Sequence, residues 1–189
     1  MEVSPLVEQQ RSEKELIRRV LSGAKDDFRE LVLAHQARVF SLVMRQVANE
    51  AIANELTQEV FLKAYVNLHH FRFEAQFSTW LIRIALNVCN SSFVSKRYRQ
   101  SKTTMSVNES EIQEVAATPS GSIEERETLR RLRDALPTLS PKLREVIVLC
   151  GFEERPYEEV ATILQIPIGT VRSRLNKARN VLRKKVFEV

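Results

Sequence analysis

Apolar residues recur at helical spacing along nearly the whole chain. One predicted helix carries its apolar stripe at Phe28, Leu31, Val32, His35, Val39, Leu42, Val43 and Val47, and the next carries its stripe at Ile52, Leu56, Val60, Ala64 and Leu68. A shorter helix is predicted over 13–22 and ends at Gly23. Ser78 is expected to cap a further helix that runs from about Thr79 to Val94. The N-terminal half therefore predicts a helical bundle.

The helical pattern resumes at Ser122, which begins a capping-box sequence with Glu125. This helix has its apolar positions at Ile123, Leu129, Leu132 and Leu136 and is expected to stop at Pro137. Ser140-Pro141 restarts a helix with its stripe at Leu143, Val146, Ile147 and Cys150, and its end is expected at Gly151. Two helices around a tight break follow, over 157–164 and from about Gly169. The C-terminal part predicts a domain of four helices.

The stretch between these halves, residues 103–122, differs in composition. It holds seven Ser or Thr, three Glu, one Pro, one Gly and no Lys or Arg, and it has no sustained periodicity. Such a composition is typical of a flexible linker. The predicted architecture is therefore all-α, with one small helical domain over 1–102, a linker over 103–122 and a second helical domain over 123–189.

Composition argues against several classes of function. No apolar run approaches the ~18 residues of a membrane span, and residues 1–14 lack the features of a signal peptide, so we expect a cytoplasmic protein. Cys89 and Cys150 are far apart in sequence and are expected to be free thiols. The three histidines have no partner at metal-ligand spacing, and no phosphate loop or nucleophile motif appears. We expect no catalytic residue, metal or cofactor.

Positive charge is concentrated at the C-terminal end. Residues 169–189 carry seven Lys and Arg against one acid, a net of +6 in a chain whose total is +5. In the final helix the core-facing arc holds Val171, Leu175, Ala178, Leu182 and Val186, and the opposite side presents Arg172, Ser173, Asn176, Lys177 and Asn180, with Arg174 and Arg179 on the flanks. Arg suits guanine edges, Asn suits adenine and Lys suits phosphates, so the pattern predicts a helix-turn-helix in the DNA major groove. The alternative is a solvated basic face.

The helix from Thr79 is apolar over more than half of its circumference and leaves one narrow polar stripe, which we call the polar seam: Thr79, Arg83, Asn87 and Asn90. Aromatic residues precede it or border it (Phe71, Phe73, Phe77 and Trp80), and the basic run Lys96-Arg97-Tyr98-Arg99 follows it. Aromatic rings beside a cationic track suit unstacked bases and a single-stranded backbone. The alternative is that the aromatic residues belong to the core and the basic run is a solvated helix end.

The helix from Ile52 has an unusual outer face. Opposite its buried stripe lie Glu55, Gln58, Leu62 and Val66. Two aliphatic residues among polar neighbours suggest a protein interface, although scattered exposed apolar residues are common.

Three segments together resemble a bacterial sigma factor of the extracytoplasmic-function type in the sigma-70 family. Residues 55–65 resemble region 2.2, residues 77–87 resemble region 2.3, and the segments 139–149, 157–161 and 166–175 resemble region 4. The similarity covers about residues 12–102 and 122–187. The chain departs from the family pattern at Glu55, where Asp is common, and at Ser91 and Val94, where an Asp and a basic residue are frequent. It also has Gln165 where Gly is frequent, and we expect Gln165 to adopt a less strained conformation.

The resemblance implies three binding surfaces and a set of partners. The −35 promoter element would be read by Arg172, Ser173, Arg174, Asn176, Lys177 and Arg179. The −10 element would be bound by Phe71, Arg72, Phe73, Phe77, Ser78, Thr79, Trp80, Arg83, Asn87, Lys96, Arg97 and Arg99. Core RNA polymerase would be bound by Glu55, Gln58, Glu59, Leu62 and Val66. The implied partners are core RNA polymerase, promoter DNA and an anti-sigma factor, which in this family is frequently membrane-bound, and the implied role is a stress response.

Two other classes of protein compete with this interpretation. A self-sufficient repressor or activator that dimerises through its N-terminal domain explains the helix-turn-helix equally well, but it does not explain the polar seam with its adjacent aromatic residues. An enzyme with an appended DNA-binding domain lacks a convergent set of catalytic residue types. We also expect the two domains to close on each other, or on a partner, when the protein is inactive.

Overall fold

The computed structural model describes residues 5–102 and 122–187, and for 5–11, 94–102 and Ile123 it describes the backbone alone. The described residues form helices and contain no strand: α1 Pro5–Leu21, α2 Phe28–Val47, α3 Glu50–Asn67, α4 Phe77–Lys102, α5 Ile123–Ala135, α6 Pro141–Ile147, α7 Tyr157–Leu164 and α8 Ile168–Phe187. The all-α expectation of two helical domains is confirmed. The predicted linker lies outside the described residues, except for Ser122.

Helices α2, α3 and α4 pack on one another to form the core of the N-terminal domain. The turn between α2 and α3 needs two residues: Ala48 adopts a left-handed conformation that ends α2, and the Asn49 side chain accepts a hydrogen bond from the backbone N–H of Ile52 at 3.0 Å. So short a turn makes the two helices antiparallel neighbours. The predicted stripe of α3 is buried at Leu56, Val60 and Ala64, whereas Ile52 is only half-buried.

Helix α4 begins earlier and ends later than the sequence suggested. It runs over Phe77–Lys102, so Ser78 lies within its first turn and the prediction that Ser78 caps it is wrong. The backbone carbonyl of Gln76 accepts the N–H groups of Thr79 and Trp80, so the helix starts at Phe77, two residues before the predicted start at Thr79. Helix α1 is also longer than predicted, and Gly23 follows it with φ 115°.

The C-terminal domain is assembled around α8, against which α5, α6 and α7 pack. The capping box is confirmed, because the Ser122 hydroxyl accepts from Glu125 N–H at 3.2 Å while the Glu125 carboxylate accepts from Ser122 N–H at 2.8 Å. Leu129 was expected to be buried but is 47% exposed. Helix α5 ends at Ala135, two residues before Pro137, as the sequence predicted, and the single turn Leu136–Thr138 follows it.

The helix that begins with α6 does not end at Gly151 as predicted. After Ile147 the chain continues as a π-helical turn over Val148–Phe152, and Glu154 then takes φ 52°. A π-turn holds one more residue than an α-turn and therefore re-aims the side chains that follow it. Here it directs Phe152 and Glu153 toward α2, where each meets an arginine.

The helix-turn-helix consists of α7, a short turn and α8. Gln165 ends α7 in the left-handed conformation with φ 53°, so the expectation of a less strained backbone at this position is wrong. The left-handed residue lets the Ile166 N–H donate to the carbonyl oxygen of Ala161 at 3.1 Å, which caps the end of α7. The predicted core stripe of α8 is confirmed at all five positions, Val171, Leu175, Ala178, Leu182 and Val186.

The two sets of helices contact each other directly. Helix α2 packs against α6 and the Leu136–Thr138 turn, and α4 packs against α7. Arg144 is the most buried charged residue at this junction, with 5% of its surface exposed. Its guanidinium donates to the carbonyl oxygens of Gln46 on α2, Pro137 (2.7 Å) and Leu139 (2.9 Å). The junction is therefore built from hydrogen bonds as well as packing.

Candidate nucleic-acid and protein interfaces

The outward face of α8 is open to solvent. Arg172, Ser173, Asn176 and Lys177 are exposed, as the helical pattern predicted, while Arg174 is half-buried. Val160 and Ile163 of α7 are buried in the same core as the α8 stripe. Helix α7 therefore packs on the side of α8 opposite the exposed face. The Ser173 hydroxyl donates to the carbonyl of Thr170 at 3.1 Å and keeps its acceptor capacity.

The charge of α8 has a single sign. Residues 168–187 contain seven Lys and Arg and no acidic residue. Asn176 and Arg179 also line a groove of about 610 Å³ between α5 and α8, together with Leu132, Arg183 and Phe187 among others. A positive face beside this groove attracts polyanions before any specific contact forms.

The outer face of α3 is also open. Leu62 is 64% exposed and Val66 is 59% exposed, with Glu55 and Gln58 on the same exposed side. Glu59 is half-buried and pairs with Lys63 at 2.9 Å. Tyr65, which the sequence analysis did not single out, adds a partly exposed ring whose edge packs on Phe28 at 5.0 Å. An apolar patch with a polar border has the character of a protein interface.

The aromatic segment before α4 is mainly core. Phe71 and Phe77 are buried, and the centres of their rings lie 5.6 Å apart. Each of the two rings also packs against the ring of Trp80. The prediction that Phe71 and Phe77 bind DNA does not fit this burial, because a ring packed on all sides has no face left for a base. Phe73 and Trp80 are half-buried, and Arg72 is exposed. Phe73 has φ 61° and lies under the guanidinium of Arg18 at 5.4 Å.

A groove between α3 and α4 lies next to these rings. It has a volume of about 340 Å³ and is lined by Lys63, Asn67, His70, Trp80, Ile84, Asn87, Val88 and Ser91. Trp80 supplies a ring, Asn87 supplies an amide with donors and an acceptor, and Lys63 supplies a positive charge. Of the predicted −10 residues, the structure thus brings Trp80 and Asn87 together in one recess.

The rest of the polar seam is occupied by the C-terminal domain. The Thr79 hydroxyl donates to the Glu159 carboxylate at 2.8 Å, and the Asn90 amide donates to the Glu145 carboxylate at 2.7 Å. The Arg83 guanidinium donates to the carbonyl oxygens of Thr162 (2.9 Å) and Ile163 (3.4 Å) at the end of α7. The sequence predicted that the seam is polar and that the two domains close on each other or on a partner, but it did not predict that α6 and α7 cover the seam.

Further polar contacts tie the two domains together. Arg155 donates to Glu159 at 2.8 Å and to the Ser78 hydroxyl at 3.5 Å. Glu153, with a side chain only 6% exposed, accepts from Arg38 at 2.7 Å and lies 3.8 Å from Arg45. Burial lowers the pKa of the Arg144 guanidinium from its ordinary value. The contacts of Ser78 with Arg155 and of Arg38 with Glu153 join residues 77 and 115 positions apart in the chain, and neither was predicted.

The remaining predicted residues fall into two groups. Lys96, Arg97 and Arg99 lie on the last turns of α4, and their side chains are outside the described residues. Cys89 and Cys150 are free, as predicted; Cys89 is buried and Cys150 is half-buried.

In the described ranges no group of three or more His, Cys, Asp or Glu could hold a metal ion, and no helix is both long and apolar enough to cross a bilayer.

Comparison with known protein families gives two matches on this chain. Sigma-70 region 2 matches residues 31–99, and Sigma-70, region 4 matches residues 129–182. Helices α2 to α4 thus lie largely within the first match, and most of α5 to α8 lies within the second.

Similar proteins cover nearly the full length of the chain. The RNA polymerase sigma-H factor of Pseudomonas aeruginosa is 33% identical over 93% of this chain and 94% of its own. The ECF RNA polymerase sigma-E factor of Escherichia coli is 32% identical over 94% of this chain and 96% of its own. Among solved structures, the sigma factor RpoE of Bartonella quintana, in complex with the anti-sigma factor NepR, matches with a TM-score of 0.73 and 25% identity over 86% of this chain and 98% of its own.

Proposed function

Because the chain belongs to the sigma-70 family of RNA polymerase sigma factors, we propose that it reads the −35 element with α8 and captures −10 bases beside α4. Sigma factors are transcription initiation factors and not enzymes. The observation that carries the proposal is the pairing of an open basic face on a helix-turn-helix with a ring-and-amide groove in the other domain.

The −35 part of the proposal is supported by the geometry of α8. A recognition helix reads bases with its N-terminal turns, and these turns present Arg172, Asn176 and Lys177 to solvent. Arg172 and Asn176 have the functional groups for guanine and adenine edges, and Lys177 and Arg179 suit the flanking phosphates. We expect Arg174, which is half-buried, to contact the DNA phosphate backbone rather than a base.

The −10 part is supported by the groove between α3 and α4. A base that leaves the duplex stack needs a ring surface and polar groups to replace its lost contacts. Trp80 and Asn87 offer both, and the exposed Arg72 lies in the loop before α4. Phe71 and Phe77 support this site from the core. Thr79 and Arg83 extend it only when α7 moves away.

Polymerase binding is assigned to the outer face of α3. Leu62 and Val66 are exposed there, and α4 covers the opposite side of the helix. A docked partner would cover this apolar surface, and the surrounding Glu55 and Gln58 would orient it.

An anti-sigma partner is supported by the similar structure from Bartonella quintana, whose sigma factor is bound by NepR. That match spans 86% of this chain, so it includes helices of both domains and supports a similar mutual placement. We therefore propose that an anti-sigma factor binds this chain while its two domains are in contact.

The test is run-off transcription on a promoter library with core RNA polymerase. The wild-type protein should give defined transcripts, and Leu62→Glu with Val66→Glu should give none and should fail to co-elute with polymerase. Leu21→Glu is the matched control, since Leu21 is also an exposed leucine of the N-terminal domain. Circular dichroism should show equal helicity for all variants. If the wild-type protein binds duplex DNA but does not co-elute with polymerase, the chain acts as a self-sufficient regulator.

A further inference from the structure

The groove between α3 and α4 carries polar side chains on both of its walls. Trp80, Ile84, Asn87 and Ser91 line it from α4, where their helical spacing places them on one stripe. Asn67, the last residue of α3, lines it from the other side. Asn67 and Ser91 are both exposed. A molecule that enters the groove therefore meets polar atoms from both helices.

The orientation of the Asn67 amide follows from its hydrogen bond. The Nδ2 atom donates to the backbone carbonyl oxygen of Lys63 at 2.8 Å, one turn earlier in α3. A carbonyl oxygen only accepts hydrogen bonds, so the nitrogen of the amide, and not its oxygen, must face it. The Oδ1 atom at the other end of the amide is left as an acceptor. Asn67 thus offers an acceptor oxygen on the α3 wall.

The Ser91 hydroxyl is committed in a similar way. It donates to the backbone carbonyl oxygen of Asn87 at 2.9 Å, one turn earlier in α4. A hydroxyl has one hydrogen and two acceptor lone pairs. Because that hydrogen is directed at its own helix, Ser91 offers only an acceptor to the groove. Each wall therefore contributes one acceptor oxygen, from a side chain that already donates within its own helix.

This pair of acceptors distinguishes among the four bases. Adenine, cytosine and guanine each carry an exocyclic amino group with two N–H donors, whereas thymine carries carbonyl oxygens and no amino group. An amino group supplies donors to the oxygens of Asn67 and Ser91. A thymine carbonyl in the same place would face acceptors with an acceptor, and such a repulsive contact lowers the affinity for the wrong ligand.

We propose that Asn67 and Ser91 determine the specificity of this groove, and that they select a −10 base with an exocyclic amino group. The inference rests on the proposed capture of −10 bases beside α4 and names the class of base that is captured. Trp80 supplies the stacking surface, and the amide of Asn87 supplies further polar contacts. The ammonium group of Lys63 provides positive charge for a backbone phosphate. Asn67 and Ser91 then discriminate against thymine.

Base analogues that lack only the amino group test this inference. The complex of the full chain with core RNA polymerase is bound to a promoter fragment that is mismatched across the −10 region. In the mismatched strands each adenine is replaced in turn by unsubstituted purine, each cytosine by 2-pyrimidinone and each guanine by hypoxanthine. Loss of the amino group at the captured position should weaken binding of the wild-type protein by about tenfold, because it leaves the two acceptors unpaired.

The variant Asn67→Ala with Ser91→Ala should lose this discrimination. It should bind the natural fragment about tenfold more weakly than the wild-type protein does, and removal of the amino group should weaken its binding by less than about twofold. Asn54→Ala with Ser22→Ala is the matched control. Asn54 is an exposed residue of α3, Ser22 donates to a carbonyl oxygen of α1, and neither lines the groove. The control should discriminate as the wild-type protein does.

The outcomes separate this inference from the function on which it rests. If the wild-type complex prefers its −10 strand to a scrambled strand, but no amino group contributes more than about twofold, −10 capture stands and the proposed selection is wrong. The selection is also wrong if the Asn67→Ala, Ser91→Ala variant discriminates as strongly as the wild-type protein. Equal binding of the −10 strand and the scrambled strand would contradict the proposed capture and this inference together.

Discussion

The basic face of α8 and the polar seam of α4 have similar sequence patterns but different surroundings. Each is a polar stripe opposite a buried apolar arc, and each is proposed to meet DNA. The α8 face is open, whereas α6 and α7 cover three of the four seam residues with oxygen acceptors. Helical periodicity shows which side of a helix faces away from the core of its own domain. It does not show whether another domain occupies that side.

The largest expected effect compares two arginines, one at the junction and one on the open face. Arg144→Ala should lower the free energy of unfolding by about 3 kcal/mol, because it leaves buried carbonyl oxygens without a donor. Arg172→Ala should change it by less than about 0.5 kcal/mol, since its side chain is exposed. Urea unfolding followed by circular dichroism measures both. Equal effects would mean that the buried and the open arginine do not differ as the structure indicates.

On the open face, single substitutions should alter DNA binding and leave the fold unchanged. Arg172→Ala and Lys177→Ala should each weaken −35 binding by about 1–3 kcal/mol, measured with holoenzyme on promoter fragments at moderate salt. Loss at one base position would indicate base reading by the substituted side chain, and uniform loss would indicate a phosphate contact. Asn180→Ala, farther along the same exposed side, serves as the control. If neither of the first two variants alters affinity, the docking face of α8 is misassigned.

On the covered face, Asn87 and Arg83 should behave differently from each other. Asn87 lines the open groove, while Arg83 binds the end of α7. Asn87→Ala should reduce run-off from duplex promoters by roughly tenfold and from templates mismatched across the −10 region by less than about twofold. Arg83→Ala should show the same defect and should also loosen the closed form in solution scattering. Equal defects on both templates would assign Asn87 to folding or polymerase contact.

The sequence was sufficient for features that depend on neighbours along the chain. The α8 stripe, the extent of α7 and the capping box at Ser122 follow from spacing and local hydrogen bonds, and all three were predicted. The resemblance to region 2 and region 4 also located both halves of the candidate site. The α8 stripe, the extent of α7 and the capping box are each a property of one helix or one turn.

The error at the start of α4 was local, because the backbone carbonyl of Gln76 accepts the first N–H groups and Ser78 falls within the first turn. Other errors arose where distant residues decide the outcome. The π-turn over Val148–Phe152, which includes Gly151, lies beside arginines of α2 that no local pattern reveals. Phe71 and Phe77 gave an aromatic signal that fits both bases and core packing, and the bundle buried them. Gln165 took the left-handed conformation because the turn geometry requires it, whatever residue stands there.

The smallest expected effect compares the two cysteines, since one lies in the core and the other is partly open. Burial, and next the negative charge of Glu145, raise the pKa of Cys89 to about 12. Burial also raises the pKa of Cys150, which is only half-buried. Only the thiolate reacts with disulfide reagents. We therefore expect Cys150 to react first, and Cys89 to stay protonated and almost unreactive between about pH 7 and about pH 9.

The same shift has a definite sign for stability. A raised pKa means that the folded protein holds the Cys89 proton more tightly than the unfolded chain does. The resulting contribution to the free energy of unfolding is therefore complete below the ordinary pKa of 9.0 and is lost as pH rises toward about 12. Glu145→Gln should lower this pKa, because it removes a negative charge that α6 places near the thiol. Peptide mass spectrometry after reaction with a disulfide reagent measures both rates across that pH range. If native Cys89 reacts as fast as Cys150 at neutral pH, the core around α4 opens far more often than its packing against α6 and α7 implies.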